Sequence, residues 1–237
     1  MSRAWNVQPL LEGTTYSSSC TLVRNDSHCV VIDTALSLLE NDLIKALQLR
    51  GLEPADVDIV INTHLHLDHC LNNTIFPRAT FYLSQREWDW TCRFYAALFE
   101  THTPELVAPA YYPELPSYHL APRTIRNTAR LARFFWDRSR VGSEDRFRWL
   151  ESDNLPAGLE VMATPGHTPH HVSIRIPIAG IIVAGDAVLD QDLHKKVRTM
   201  VPFSRADAIQ TRDELINSGL TIIPGHGAAF KKTGTGR

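Results

Sequence analysis

The chain has 237 residues, of which 43% are hydrophobic and 21% charged, with a formal net charge of −2. That profile belongs to an ordinary globular protein and excludes a disordered or fibrous chain. The longest apolar stretch, residues 178–185, falls far short of the roughly 20 residues a membrane helix needs, and the charge gives no overall pull toward nucleic acid.

Short strand patterns come first, at Val7–Glu12, Cys20–Arg24 and His28–Ile32. Ser37-Leu38-Leu39-Glu40 has the spacing of a capping box and predicts a helix running to about Arg50, with Leu39, Leu43 and Leu47 on one face. Gly51 is its stop. Strands are expected at Val57–Asn62 and Ala79–Leu83, and Ser84-Gln85-Arg86-Glu87 is a second capping-box pattern. From about 84 to 150 the texture becomes helical. This stretch holds 13 of the 20 aromatics, 10 of the 19 arginines and no lysine, and five prolines divide it. Strand patterns return at Leu159–Thr164, His171–Ile176 and Gly180–Ala184. Ser204 opens a last helix ending near Gly219, and Leu220–Ile223 is the last strand. Each half thus runs strands, helix, strand. The expectation is an α/β protein: a single αββα four-layer sandwich over residues 1–237, with a helical insertion at about 84–150.

Eleven histidines are present, and their placement is the main chemical signal. Thr63-His64-Leu65-His66-Leu67-Asp68-His69 follows a predicted strand. In extended chain His64 and His66 point the same way and can converge on one ion. Asp68 and His69, past the turn, can aim at a second point nearby. Imidazole and carboxylate are natural zinc ligands. Three further motifs stand at strand ends, each beside a glycine that permits a tight turn: Pro165-Gly166-His167, Gly185-Asp186 and Gly225-His226. A single such motif is usually only a turn; four in this order are a strong signal.

These residues, with Asp33 after the strand Val30–Ile32, resemble the metallo-β-lactamase-fold hydrolase superfamily. The resemblance implies two divalent metal ions at the edge of the sandwich, zinc by preference, with iron or manganese as alternatives. His64, His66 and His167 would hold one, Asp68, His69 and His226 the other, and Asp186 would bridge them. It implies a hydrolase whose nucleophile is a hydroxide shared by the two metals, with Asp186 and Asp68 as catalytic residues and Asp68 as the proton carrier. Asp33 would orient the ligand loop, unless it serves instead as an acid near the helix start at Ser37. His171 would support the ligands from behind. Cys70 reads as a packing residue.

Fold and metals do not choose a substrate. No export signal is visible, and with four scattered cysteines this predicts a cytoplasmic setting. Only 11 residues follow His226, so the C-terminal substrate domain of glyoxalase II-like thioesterases is not expected. Small N-acyl homoserine lactonases match best in outline. They carry a tyrosine three residues after the bridging aspartate, where this chain has Leu189. Thioester, β-lactam and phosphotriester hydrolysis are the alternatives, and a single-iron persulfide dioxygenase is a more distant one. The expected partner is a small-molecule substrate, with no nucleic acid and no membrane. The insertion aromatics Trp88, Tyr95, Tyr111 and Tyr112 would wall its pocket; their alternative roles are packing or a homodimer contact. Arg123, Arg126, Arg130 and Arg133 fall on one face of a helical pattern, opposite Ile125, Ala129, Ala132 and Trp136.

Overall fold

Residues 4–189 and 202–232 are described in the computed structural model, and their strands form two sheets. The first runs β1 (Asn6–Leu11), β2 (Cys20–Arg24), β3 (Cys29–Ile32), β4 (Ile59–Ile61), β5 (Thr80–Leu83) and β6 (Phe147–Trp149) in spatial order. Pairing is antiparallel up to β3 and parallel from there to β6. The second holds β7 (Glu160–Ala163), β8 (Val172–Ile176), β9 (Ile181–Leu189), β10 (Thr221–His226) and β11 (Phe230–Lys231) in the order β11-β10-β9-β8-β7, with β9 and β10 parallel.

Side-chain alternation along the strands produces the layers. Val23, Val30, Ile32, Ile59 and Ile61 point inward and meet Ile174, Ile176, Val183 and Ile223 of the second sheet. Their neighbours Leu22, Val31, Val60 and Phe81 point the other way, onto Leu43 and Leu47 of α1 (Glu40–Gln48). On the far side, Ile182, Ala184 and Ile222 pack against Leu215 of α7 (Arg205–Ile216). The order is helix, sheet, sheet, helix, the expected αββα sandwich. Burying each such aliphatic side chain contributes about 1.5–3 kcal/mol. No helix among the described residues is long and apolar enough to cross a membrane.

Between β5 and β6 lie α3 (Gln85–Glu100), α4 (Pro104–Tyr111), α5 (Pro122–Phe135) and α6 (Arg138–Val141). Ser84 caps α3 as its pattern suggests, accepting from the Glu87 amide. Arg123, Arg126 and Arg130 of α5 are exposed, and Arg133 is half-buried. Ala129 is buried, Arg126 pairs with Glu105, and Arg133 donates to the Leu98 carbonyl near the end of α3.

Three expectations change. The helical insertion stops short of 150, because Phe147–Trp149 is a strand that extends the first sheet beside β5. Ser37 does not cap α1: residues 37–39 form a 3-10 turn, and the α-helix begins at Glu40 without a side-chain cap. The strand expected to end at Ala184 runs on to Leu189, with the register of β9 against β10 shifting around Pro224. The continuation places Asp186 inside the strand rather than just past it.

Candidate metal centre

The candidate ligands are delivered by two strands and by segments that follow strands. His64 and His66 lie in the loop after β4, and Asp68 and His69 in the short α2 (Leu67–Cys70) that follows. His167 lies between β7 and β8, Asp186 in β9, and His226 closes β10. Potential ligand atoms of His64, His66, His167 and Asp186 lie within 4.8 Å of one another, as do those of Asp68, His69 and His226.

Asp186 stands between the two sets. Its Oδ2 is 3.2 Å from His167 Nε2 and 3.8 Å from His64 Nε2. Its Oδ1 is 3.3 Å from His69 Nε2 and 3.4 Å from His226 Nε2. Asp68 Oδ2 is 3.4 Å from His226 Nε2. Glycine makes the approach possible: a Cβ on Gly225 would sit 1.9 Å from Asp186 Oδ1, and Gly185 has φ +52° with Thr63 and His171 pressed against it.

The orientation of the rings shows what the site is built to receive. Asp33 accepts from the Thr63 amide at 2.9 Å and the Thr63 hydroxyl at 2.7 Å, and from His69 Nδ1 at 2.8 Å. Its backbone is held at φ +57°, a conformation that Asp tolerates better than most residues. The Thr63 oxygen, having given its proton to Asp33, accepts from His64 Nδ1 at 3.2 Å. His226 Nδ1 donates to the Thr14 carbonyl. In all three rings Nδ1 is engaged, and the remaining Nε2 is buried without a hydrogen-bond partner, as are both oxygens of Asp186. These five buried atoms converge, and leaving them bare would be costly, so protons or cations must hold them. They fit divalent cations, and the N/O donor set suits zinc.

Electrostatics agree with that fit. Burial holds His64 and His167 well below the usual histidine range, His66 at about 4 and His171 at about 3, so all four present neutral imidazoles at pH 7. Burial also opposes charge on His69 and His226. The carboxylates of Asp186 and Asp33 nonetheless raise His69, and Asp186 with Asp68 raises His226 to about 9. Asp186 is lowered despite its burial by His226, His69 and His167. A cation entering here competes with those protons for the same lone pairs.

The supporting residues divide unevenly. Asp33 accepts from both Thr63 and His69. His171 is buried with its ring 4.9 Å from that of His64, and its Nδ1 is 2.8 Å from the Thr164 hydroxyl. Cys70 is buried, its thiol donating to the His66 carbonyl. The pocket expectation fails for two aromatics. Trp88 belongs to the core, edge-on to Phe147 at 5.0 Å and under the Arg138 guanidinium. Tyr95 is stacked on Trp136 at 3.9 Å in the core between α3 and α5. Tyr111 spends its hydroxyl on the Arg93 carbonyl. Only Tyr112, of the four, touches the ligands: its hydroxyl is 2.7 Å from His66 Nε2. A cleft of about 260 Å³ does open nearby, behind the 165–172 loop. Arg86, Glu151, His170 and His171 are among the residues lining it, and none of the four aromatics is.

Sequence reasoning missed Glu87. It is buried on α3, and the Thr168 hydroxyl donates to its Oε2 at 2.9 Å. Burial raises its carboxyl to about 7, against hydrogen bonds from Thr168 and from the backbones of Leu65 and His170. The insertion is thereby tied to both histidine loops. The sequence signal was present as the fourth residue of the Ser84 motif, where it reads as a helix cap and nothing more.

Comparison with known proteins agrees in family. The model of the metallo-beta-lactamase superfamily matches residues 13–226. A probable metallo-hydrolase of Methanocaldococcus jannaschii is 48% identical over 65 residues, 27% of this chain and 32% of that one. A metallo-beta-lactamase domain-containing protein 1 of Xenopus laevis is 28% identical over 90% of this chain and 72% of its own. The N-acyl homoserine lactonase AttM of Azorhizobium caulinodans is 27% identical over 86% of this chain and 66% of its own. The chain thus spans from a third to about 70% of these relatives. Among solved structures, AidC, a dizinc quorum-quenching lactonase, superposes with a TM-score of 0.61 at 17% identity, covering 92% of this chain and 80% of its own.

Proposed function

The chain belongs to the metallo-β-lactamase superfamily, whose members are metal-dependent hydrolases, and we propose that it hydrolyses a small-molecule ester, lactone or related acyl substrate with two bound divalent ions. The observation that carries this reading is Asp186, with one oxygen toward the His64 and His167 rings and the other toward His69 and His226. His64, His66 and His167 would hold one ion and Asp68, His69 and His226 the other, with Asp186 facing both sets. When bound, such a pair polarises the substrate oxygen and acidifies water.

The chain's own residues do the rest. Neutral His64, His66 and His167 offer lone pairs at pH 7 without first losing a proton. Asp33 and Thr63 keep His64 and His69 turned toward the site. Asp68 has a side chain 20% exposed while the other carboxylate, Asp186, is shut in, so Asp68 is the group placed to pass a proton to the leaving oxygen. A lactone is the favoured substrate, because AttM and AidC are lactonases and resemble this chain over most of its length. The four cysteines are free, which suits a reducing cytoplasm. The test is a substrate panel of lactones, esters, thioesters, β-lactams and phosphotriesters on zinc-loaded protein. Turnover of homoserine lactones supports the full reading, and turnover of another member keeps only the hydrolase. About one iron per chain with oxygen consumption replaces it with a dioxygenase.

A further inference from the structure

We propose that Tyr112, supplied by the helical insertion, is a positioning residue that commits His66 to offer Nδ1, rather than Nε2, to an ion. The proposal rests on the metal reading above and goes beyond it.

His66 differs from its neighbours in which nitrogen it presents. His64, His69 and His226 engage Nδ1 with Thr63, Asp33 and the Thr14 carbonyl, all groups of the sandwich, and turn Nε2 inward. His66 is reversed. Its Nδ1 lies 2.9 Å from His167 Nε2, inside the ligand set, and its Nε2 lies 2.7 Å from the Tyr112 hydroxyl. A neutral imidazole carries one proton. If Nδ1 gives its lone pair to a cation, Nε2 holds the proton, and the Tyr112 oxygen is the acceptor in place to take it. A ring without such a partner divides between tautomers, one of which aims a proton at the ion.

Tyr112 is itself held firmly enough to act this way. It follows directly on α4, where its amide donates to the Ala108 carbonyl. Its ring lies 5.5 Å from Trp90 and 5.7 Å from Phe94, both on α3. That helix is fixed between the two histidine loops by Glu87, through Thr168 and the backbones of Leu65 and His170. The insertion contributes no ligand, but it sets the tautomer of one.

The test is zinc titration of the apo protein against a chromogenic chelator, with Tyr112→Phe beside wild type. Removing only the hydroxyl should weaken one of the two ions by about 10–100-fold, the usual effect of losing a partner behind a ligating histidine. The other ion and the melting temperature of the apo protein should not change. Ring nitrogen shifts of His66 should show a mixture of tautomers in the apo variant where wild type shows one. In a His66→Ala background Tyr112→Phe should have no further effect. Unchanged affinity for both ions overturns the proposal. So does an equal loss in the His66→Ala background, or a joint fall of both affinities with the apo melting temperature, which would make Tyr112 a packing residue. A wild-type chain that takes up no zinc overturns the metal reading and this proposal with it.

Discussion

The sandwich and the insertion meet the same site by different means. All seven candidate ligands come from the sandwich, on strands β9 and β10 or on loops and the short α2 that leave its strands, over a core of Ile32, Ile61, Ile174 and Ile223. The insertion brings none, and most of its aromatics are occupied with one another: Tyr95 on Trp136, Trp90 beside Phe94 and Tyr111. Its polar side chains nevertheless reach the candidate ligand loops through Glu87 and Tyr112, and Leu67 packs against its apolar cluster. A rigid layer can hold several atoms within a few tenths of an ångström of their places. A helical cover packed on that layer can adjust it without being part of it.

The largest expected effect falls on the sandwich. Asp186→Ala removes the one carboxylate facing both ligand sets, so both ions and all hydrolysis above background should go. Metal analysis and turnover of any confirmed substrate check this, and retention of two ions per chain would refute the bridging role. Next comes the packing of the insertion on the first sheet. Trp88→Ala leaves a cavity against Phe147 and should cost about 3–5 kcal/mol of stability, with KM unchanged in the protein that remains folded. A raised KM at unaltered stability would restore Trp88 to the substrate pocket.

Glu87 tests the seam between the two regions. Its carboxyl is raised from 4.5 to about 7, so the folded state binds its proton more tightly than the unfolded chain does. Stability from this group is therefore full below pH 4.5 and is lost as pH rises toward 7, by about 3 kcal/mol in total. The buried neutral His64, His66, His167 and His171 work in the opposite direction, since their folded-state values lie below the unfolded one and acid removes their stabilisation. Chemical denaturation of apo wild type and Glu87→Gln across pH 4–8 separates the two: the difference between the curves should grow in favour of the variant as pH rises. A difference that does not vary with pH would show that the Glu87 carboxyl titrates alike in the folded and unfolded chain.

The smallest effect is expected at Asp33. Asp33→Asn keeps a side chain that tolerates the φ of +57° but weakens the acceptor behind His69 and Thr63. Zinc affinity should fall about 10–100-fold with little change in fold. Calorimetric titration decides, and an unchanged affinity would return Asp33 to a purely backbone role.

What could be read in advance follows the same division. The cluster of candidate ligands was legible because a strand, a turn and a histidine or aspartate are all local in sequence, and the resemblance joined the four motifs. Tyr112 was picked out as an aromatic near the site, but a tautomer-setting contact 46 residues from His66 leaves no local pattern. Glu87 looked like a helix cap because Ser84 does cap α3; that its carboxylate turns inward to Thr168 depends on the second sheet. Phe147–Trp149 is too short to read as a strand alone, and is one because β5 offers it a parallel edge. Trp88 and Tyr95 have the composition of a pocket, and only packing distinguishes that from a core.

Four segments of the sandwich, on this reading, build one site for two ions. Crystals of the zinc-loaded protein, measured on both sides of the zinc absorption edge, test it most directly. Two anomalous peaks about 3.5–4 Å apart are expected, one against His64, His66 and His167, the other against Asp68, His69 and His226, with Asp186 touching both. A single peak, or peaks away from Asp186, would contradict it.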